Sequence, residues 1–293
     1  MDGPGGARPA DSGFAAIDGW TADDMHGALA SFRRMDAHPL AHEARAARDP
    51  RRFFETHFAP DRPRAVQATA YYEPELDASL QPTRDFRVPL HALPDGGCSL
   101  RRADIDVRLK GREIAYLRDE VDRFFLQIQG SGRLRLPDGT TQRLAYGGGN
   151  GQPYRSIGKM LVKEGVFGTG LTADTLKDWL RADPVRGRAV MDRNPSYVFF
   201  RLHDGPPDDG PIGTMGVPLT AMRSLAADPE HVPLGTPVWV RIGDAAALWI
   251  AQDTGGAIKG PGRIDLFYGT GDEAGRAAGA VNANGRITPL AMR

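Results

Sequence analysis

Cysteine is nearly absent, with Cys98 alone among 293 residues. A disulfide within the chain and any cysteine-built metal cluster are thereby excluded. Histidine is sparse as well. The seven residues are scattered, with no H-E-x-x-H pair or similar spacing, which argues against a catalytic zinc. Neither sign of charge is in surplus, with 37 Lys+Arg against 37 Asp+Glu, so no global field draws nucleic acid or an anionic membrane. No apolar run approaches the roughly 18 residues of a membrane-spanning helix. The opening residues, Met1 to Gly6, lack the basic and apolar regions of a signal peptide. There is no G-x-S-x-G elbow for a serine nucleophile. Gly158-Lys159 fails as a phosphate loop, because Pro153 and Met160 stand where Gly and Ser/Thr are required. Against these absences, 41% apolar and 25% charged residues describe a globular chain with an ample core.

Residues 1–14 are rich in Gly, Ala and Pro and read as a disordered tail. Thr21 is placed to cap a helix whose stripe is Met25, Leu29 and Phe32, and Asp49-Pro50 opens another. Further helices are expected at about 156–163 and 172–180. A strand from Thr69 stops at Pro74, and short β segments with many turns follow to about 120. Over 123–136 the alternation is clean and predicts one strand. Phe124, Leu126, Ile128, Leu134 and Leu136 form its apolar face, and Gln127, Gln129, Ser131, Arg133 and Arg135 its polar face. Solvent would accept that row, but amides, a hydroxyl and guanidinia in line also suit a sugar-binding wall. Aromatic and β-branched runs mark strands at 196–202, 237–242, 248–252 and 263–268, and a linker-like segment spans 203–211.

The chemistry is expected around a Gly-rich turn between the last two of these strands. Asp253 and Asp265 stand at its edges, and strand phase puts Asp265 on one face with Arg263 and Phe267. Asp253-Thr254-Gly255 resembles one arm of an aspartic protease. The second arm would have to be Asp11-Ser12-Gly13, which lacks flanking apolar strands. Glycosidic-bond cleavage asks for a carboxylic acid that stays protonated near neutrality. An ordinary Asp, with a pKa of about 3.9, is protonated only about one part in a thousand at pH 7, a deficit of roughly 4 kcal/mol. Burial or a second carboxylate can close that gap.

Several long blocks give the chain a family likeness. They are Tyr71-Tyr72-Glu73-Pro74-Glu75-Leu76, 124–132, 150–158, 194–201, Pro233-Leu234-Gly235-Thr236-Pro237-Val238 and 251–269, in that order. From about Gly19 onward the sequence resembles the membrane-bound lytic murein transglycosylase A family, with its C-terminal three-aspartate domain. The resemblance implies a mainly β fold with peripheral helices. A double-psi β-barrel (15–76 and 209–293) carries the catalytic residues, a smaller β-barrel (77–208) is inserted, and a glycan groove lies between them. It implies cleavage of the β-1,4 bond between N-acetylmuramic acid and N-acetylglucosamine, with the muramyl 6-hydroxyl closing a 1,6-anhydro ring. Asp265 matches the family's acid/base, and Asp253 and Asp228 match its two other aspartates. Thr69, Tyr71, Glu73, Gln127, Gln129, Ser131, Arg133, Tyr146, Asn150, Tyr154, Gly255 and Lys259 are the expected glycan-binding residues. No metal or cofactor is implied. The partner is peptidoglycan in the periplasm, with an export signal upstream of this sequence and outer-membrane association through a lipid anchor outside it. The alternatives are an expansin-like glycan-binding barrel without catalysis, a hydrolytic muramidase and the aspartic protease. Departures from the family pattern are modest: Ala70 and Met222 where Gly is usual, Gly148 where Lys is frequent, and a loop before Asp265 that Pro261-Gly262 makes one residue longer than in some relatives.

Overall fold

The structure is a computed structural model that describes residues 13–206 and 208–293. In chain order its strands are β1 (Phe58–Pro60), β2 (Arg64–Glu73), β3 (Glu75–Ser79), β4 (Val88–His91), β5 (Glu113–Leu117), β6 (Gly132–Arg135) and β7 (Thr141–Gly149). There follow β8 (Val198–His203), β9 (Ser224–Ala227), β10 (Pro237–Ile242), β11 (Ala245–Asp253), β12 (Arg263–Thr270) and β13 (Asn282–Met292). Seven strands pair in the order β1-β13-β10-β11-β9-β12-β2, and β13 also pairs with β2. That last pairing closes a ring of six strands, which leaves no free edge. Within the ring β9 and β11 run parallel and the β9–β12 pair antiparallel. This ring is the double-psi β-barrel that the resemblance implied.

Contacts divide the chain into two units: 1–69, 213–266 and 282–293 in the first, 70–212 and 267–281 in the second. The expected borders at 76/77 and 208/209 therefore move, and residues 267–281 leave the first unit. The reason is that β2 and β12 are long strands whose C-terminal halves hold to the second unit. There Thr270 Oγ1 and Arg133 Nε both bond Glu73 Oε2, at 2.9 and 2.8 Å.

In the first unit, period-2 burial sends Val66 and Ala68 of β2, and Ile264 and Leu266 of β12, into the barrel. Thr69 and Asp265 therefore stand on the outer face. One end of the unit is an aromatic cluster of Phe32, Phe53, Phe54 and Phe58 with Trp20 and Trp239. The helix Pro50–His57 forms as expected, with Asp49 accepting Arg52 N–H at 3.0 Å and Pro50 in the first turn. The helix expected after Thr21 starts later, at His26–Phe32, and Thr21 does not cap it; a short helix, Ala41–Ala46, lies between it and Pro50. Asp23 instead accepts Met25 N–H and is gripped by Arg223 at 2.7 and 2.9 Å, a tertiary pair that local capping does not foresee. Of the expected tail, residues 1–12 lie outside the described residues, Asp11 among them. Phe14 stacks on Trp20 at 4.6 Å, which ends the tail before it.

The second unit carries a sheet in the order β4-β5-β3-β6-β7-β8. His91 at the end of β4 reaches Tyr197 beside β8, Nδ1 to hydroxyl, at 3.0 Å. The strand expected over 123–136 is a helix, Glu120–Gln129, followed by β6. Asp119 caps it at 2.8 Å, and Gly130, with φ +83, ends it in the left-handed conformation. Arg123 and Gln127, four residues apart, share a buried face, where Asp106 and Arg102 pair with them. A helix Arg102–Arg108, not expected from the sequence, supplies both partners. The helices Ile157–Lys163 and Ala173–Ala182 begin at Ser156 and Thr172 as expected.

Met222 is one of two non-glycine residues with positive φ among the described residues, at +60, and its side chain is exposed. Left-handed backbone costs an L-residue about 1–2 kcal/mol, partly offset because glycine loses more freedom on folding. Met222→Gly should therefore raise stability by about 0.5–1 kcal/mol, read as a higher urea midpoint with unchanged slope.

Candidate active site

Asp265 is held from both neighbouring strands. Its backbone pairs with Ala226 of β9, and from β2 Thr69 Oγ1 donates to its Oδ1 at 2.5 Å. Arg263, two residues earlier on the same face of β12, donates from Nη2 to that hydroxyl at 2.7 Å. Its Nη1 also donates to Ile264 O at 2.9 Å and Gln67 O at 3.2 Å. Burial pushes the Asp265 carboxyl up to about 6, with a smaller push from Asp253. The Thr69 hydroxyl and the Arg263 charge act the other way and do not cancel it. A carboxylic acid in this environment can deliver a proton near neutrality and take one back.

The two other aspartates bind loops. Asp253, at the end of β11, accepts Thr214 N–H and Oγ1–H, both at 2.9 Å. Asp228 follows β9 and accepts Gly260 N–H at 2.7 Å and Glu230 N–H at 3.3 Å. The Gly260 bond chiefly holds its carboxyl below the usual range. Asp228 thus fastens the glycine-rich turn 254–262 at Gly260, whose φ is +83, while Asp253 fixes Thr214, whose hydroxyl meets Thr254 Oγ1 at 2.7 Å. Gly255 is needed there for packing, since a Cβ would stand 2.8 Å from Ile258 Cγ1. Lys259 is exposed on the same turn.

The remaining expected glycan-binding residues fall in the second unit and separate into two groups. Glu73 is fully buried on Arg133, Gln127 is buried on Arg102 and Val198 O, and Ser131 is buried. Asn150 is buried as well. It donates to Leu100 O and Pro195 O and accepts from Tyr197 N–H at 2.8 Å. In Glu73, Gln127, Arg133 and Asn150 polarity is spent on the protein's own backbone, amide and ion pairs. Gln129 accepts Tyr72 N–H at 3.1 Å but stays half-buried, and Tyr71 lies against Phe267 at 5.4 Å. Tyr146 and Tyr154 expose 55% and 39% of their surface, the amphipathic ring area that sugars stack on. Sequence reasoning overlooked Arg263 and Thr214 as partners of the aspartates. Arg263 was visible in the strand phase, whereas Thr214 carries no local signal. Among the described residues no group of three or more His, Cys, Asp or Glu is placed to hold a metal ion.

The chain as a whole is similar to known proteins. The MltA specific insert domain model matches residues 98–201, and the 3D domain model matches 223–291. The lytic transglycosylase LtgG of Burkholderia pseudomallei is 39% identical, with 96% of this chain and 94% of that one covered and a TM-score of 0.65. The chain belongs to the membrane-bound lytic murein transglycosylase A family. A Vibrio cholerae member of that name is 33% identical over 246 residues, 78% of this chain and 66% of its own length. The chain thus spans just under two thirds of that relative. The Escherichia coli MltA structure with bound chitohexaose is 27% identical, covers 92% of this chain and 89% of its own, and superposes with a TM-score of 0.77.

Proposed function

We propose that the protein is a lytic transglycosylase that cleaves the β-1,4 bond between N-acetylmuramic acid and N-acetylglucosamine in peptidoglycan. The single observation that carries this reading is Asp265, half-buried on the barrel's outer face with its carboxyl pushed up to about 6. At pH 7 such a group is protonated about one time in ten, roughly a hundred times more often than an ordinary aspartate. In the first step the Asp265 proton goes to the glycosidic oxygen and the bond to muramyl C1 breaks. In the second, the Asp265 carboxylate removes the proton of the muramyl 6-hydroxyl, whose oxygen closes on C1. The products are a 1,6-anhydromuramyl end and a free N-acetylglucosamine hydroxyl, and Asp265 is again protonated. The attacking hydroxyl belongs to the substrate and is already near C1, so no second carboxylate need activate water. That Asp253 and Asp228 serve as loop anchors favours this one-acid scheme over a hydrolase. Tyr146 and Tyr154 are the side chains best exposed for stacking on sugar rings. The chitohexaose held by the Escherichia coli relative supports a glycan ligand here.

The reading places the protein in the periplasm, associated with the outer membrane. No helix among the described residues is long and apolar enough to cross a membrane. Incubation with purified sacculi and mass spectrometry of the released fragments tests the activity. Anhydro ends are expected, whereas reducing muramic acid would mean hydrolysis, and binding without release would mean a glycan-binding barrel. The pH profile is a further expectation. Because Asp265 must start protonated, kcat/KM should fall about tenfold per unit as pH rises beyond about 6.

A further inference from the structure

Arg263 does more than decorate the start of β12. A threonine hydroxyl has one proton and two lone pairs, whereas a guanidinium only donates and keeps its charge throughout the working range. With Nη2 of Arg263 at 2.7 Å, one lone pair of Thr69 Oγ1 is taken and the hydroxyl proton cannot point that way. The acceptor 2.5 Å away is Asp265 Oδ1. The guanidinium is itself fixed by Gln67 O on β2 and Ile264 O on β12, so the Thr69 rotor is set by a group braced on both strands. Without that brace the hydroxyl could turn to accept a proton from Asp265 Oδ1. The acid proton would then sit against Thr69, where no substrate can receive it.

We propose that Arg263 is a positioning residue that, through Thr69, keeps Oδ1 of Asp265 an acceptor and Oδ2 the oxygen that gives and reclaims the proton. The proposal rests on reading Asp265 as the acid/base. The arrangement serves both steps, because Oδ1 accepts the same hydrogen bond whether the carboxyl is neutral or charged. It also gives the site a charge-assisted donor chain, in which a cation strengthens the hydroxyl that faces the carboxyl.

The test is a double-mutant cycle on the full chain, read by the carboxyl carbon signal of 13C-labelled aspartate, with the Asp265 resonance assigned by its loss in Asp265→Asn. Arg263→Met and Thr69→Val should each raise the Asp265 titration by about one pH unit, the scale of one hydrogen bond to a charged group. The double variant should move beyond Thr69→Val only by what the Arg263 charge contributes directly, clearly less than the sum of the two single shifts, and Thr69→Ser should return near wild type. In the sacculus assay Arg263→Met should lower kcat about tenfold with KM within about twofold, and carry the basic limb of the profile upward with the titration. Arg263→Lys keeps the charge but lacks the two-nitrogen fork that reaches Thr69 from Nη2 and the carbonyls from Nη1, and it should fall between wild type and Arg263→Met. If Arg263→Met proves unfolded by circular dichroism, Arg263→Lys made alone and together with Thr69→Val closes the same cycle. Shifts that add in full, an unmoved titration, or a raised KM at constant kcat would each overturn the proposal. The titration does not depend on turnover. A coupled cycle in a protein that yields no anhydro product would leave the positioning role standing and remove the proposed function.

Discussion

Asp265→Asn is expected to abolish turnover while leaving the protein folded and more stable at neutral pH. Proton transfer by one positioned group is worth about 10²–10⁴, and here the same carboxyl serves both steps, so a loss of at least about 10³ in kcat is expected. Asparagine keeps the shape and an acceptor for Thr69, so the outer face of the barrel should not rearrange. The stability gain follows from the raised carboxyl. A group whose folded pKa lies above its unfolded one is no burden below the unfolded value, and it weakens the fold as pH rises through the folded value. With a shift from 3.8 to about 6, the burden reaches at most about 3 kcal/mol at pH 7. Urea unfolding of wild type and variant should diverge between about pH 4 and 6 and coincide below it. Equal stability at both ends of that range would show that the carboxyl is not desolvated.

Glu73→Gln should have the opposite character, with large damage to stability. Glu73 has no exposed surface, and it stands between Arg133 Nε at 2.8 Å and Arg143 Nη2 at 3.9 Å, whose side chains are 13% and 5% exposed. Its Oε1 has no hydrogen-bond partner, so the carboxylate's hold on Arg143 is charge alone. Glutamine keeps the volume and removes the charge, leaving two guanidinia together in a dry setting. Breaking a buried pair in this way costs about 3–5 kcal/mol. A fall of that size in urea unfolding is expected, followed by loss of activity in proportion to the unfolded fraction. If Glu73 instead bound glycan, Gln would raise KM and leave the unfolding curve in place.

The two carboxylates differ in how far the sequence reaches them. The strand face of Asp265 and the Gly-rich turn before it were legible from alternation, as β12 shows, whereas its choice over Asp253 as acid/base came from the family blocks alone. Helix starts at Asp49, Ser156 and Thr172 were legible because their caps are local. The residues 120–129 were not, since Phe124, Leu126 and Ile128 alternate as in a strand, while Val121, Phe125 and Ile128 recur as on a helix. What settles the matter is Arg102 and Asp106, on a helix some twenty residues earlier, which pair with Gln127 and Arg123. Polarity misled for a related reason. Gln127 and Arg133 read as part of a sugar-binding row, and the resemblance added Asn150, but a side chain's polarity does not say whether its partner is a hydroxyl of a ligand or a group of the same chain. Ring closure by β13 on β2 was also illegible, because nothing in either strand names its partner.

That closure has a consequence for synthesis. β13 is translated after every strand it joins, and it pairs residue for residue with β2 from Asn282 on Thr69 to Ile287 on Arg64. On the other side it holds β10, from Arg286 on Arg241 to Pro289 on Val238. A nascent chain that has reached the end of β12 already contains both Thr69 and Asp265, 196 residues apart, but β2 and β10 still lack the strand between them. Whatever chemistry Asp265 performs must therefore wait for residues 282–292. The order of translation acts as a zymogen's propeptide would, and nothing has to be cut away.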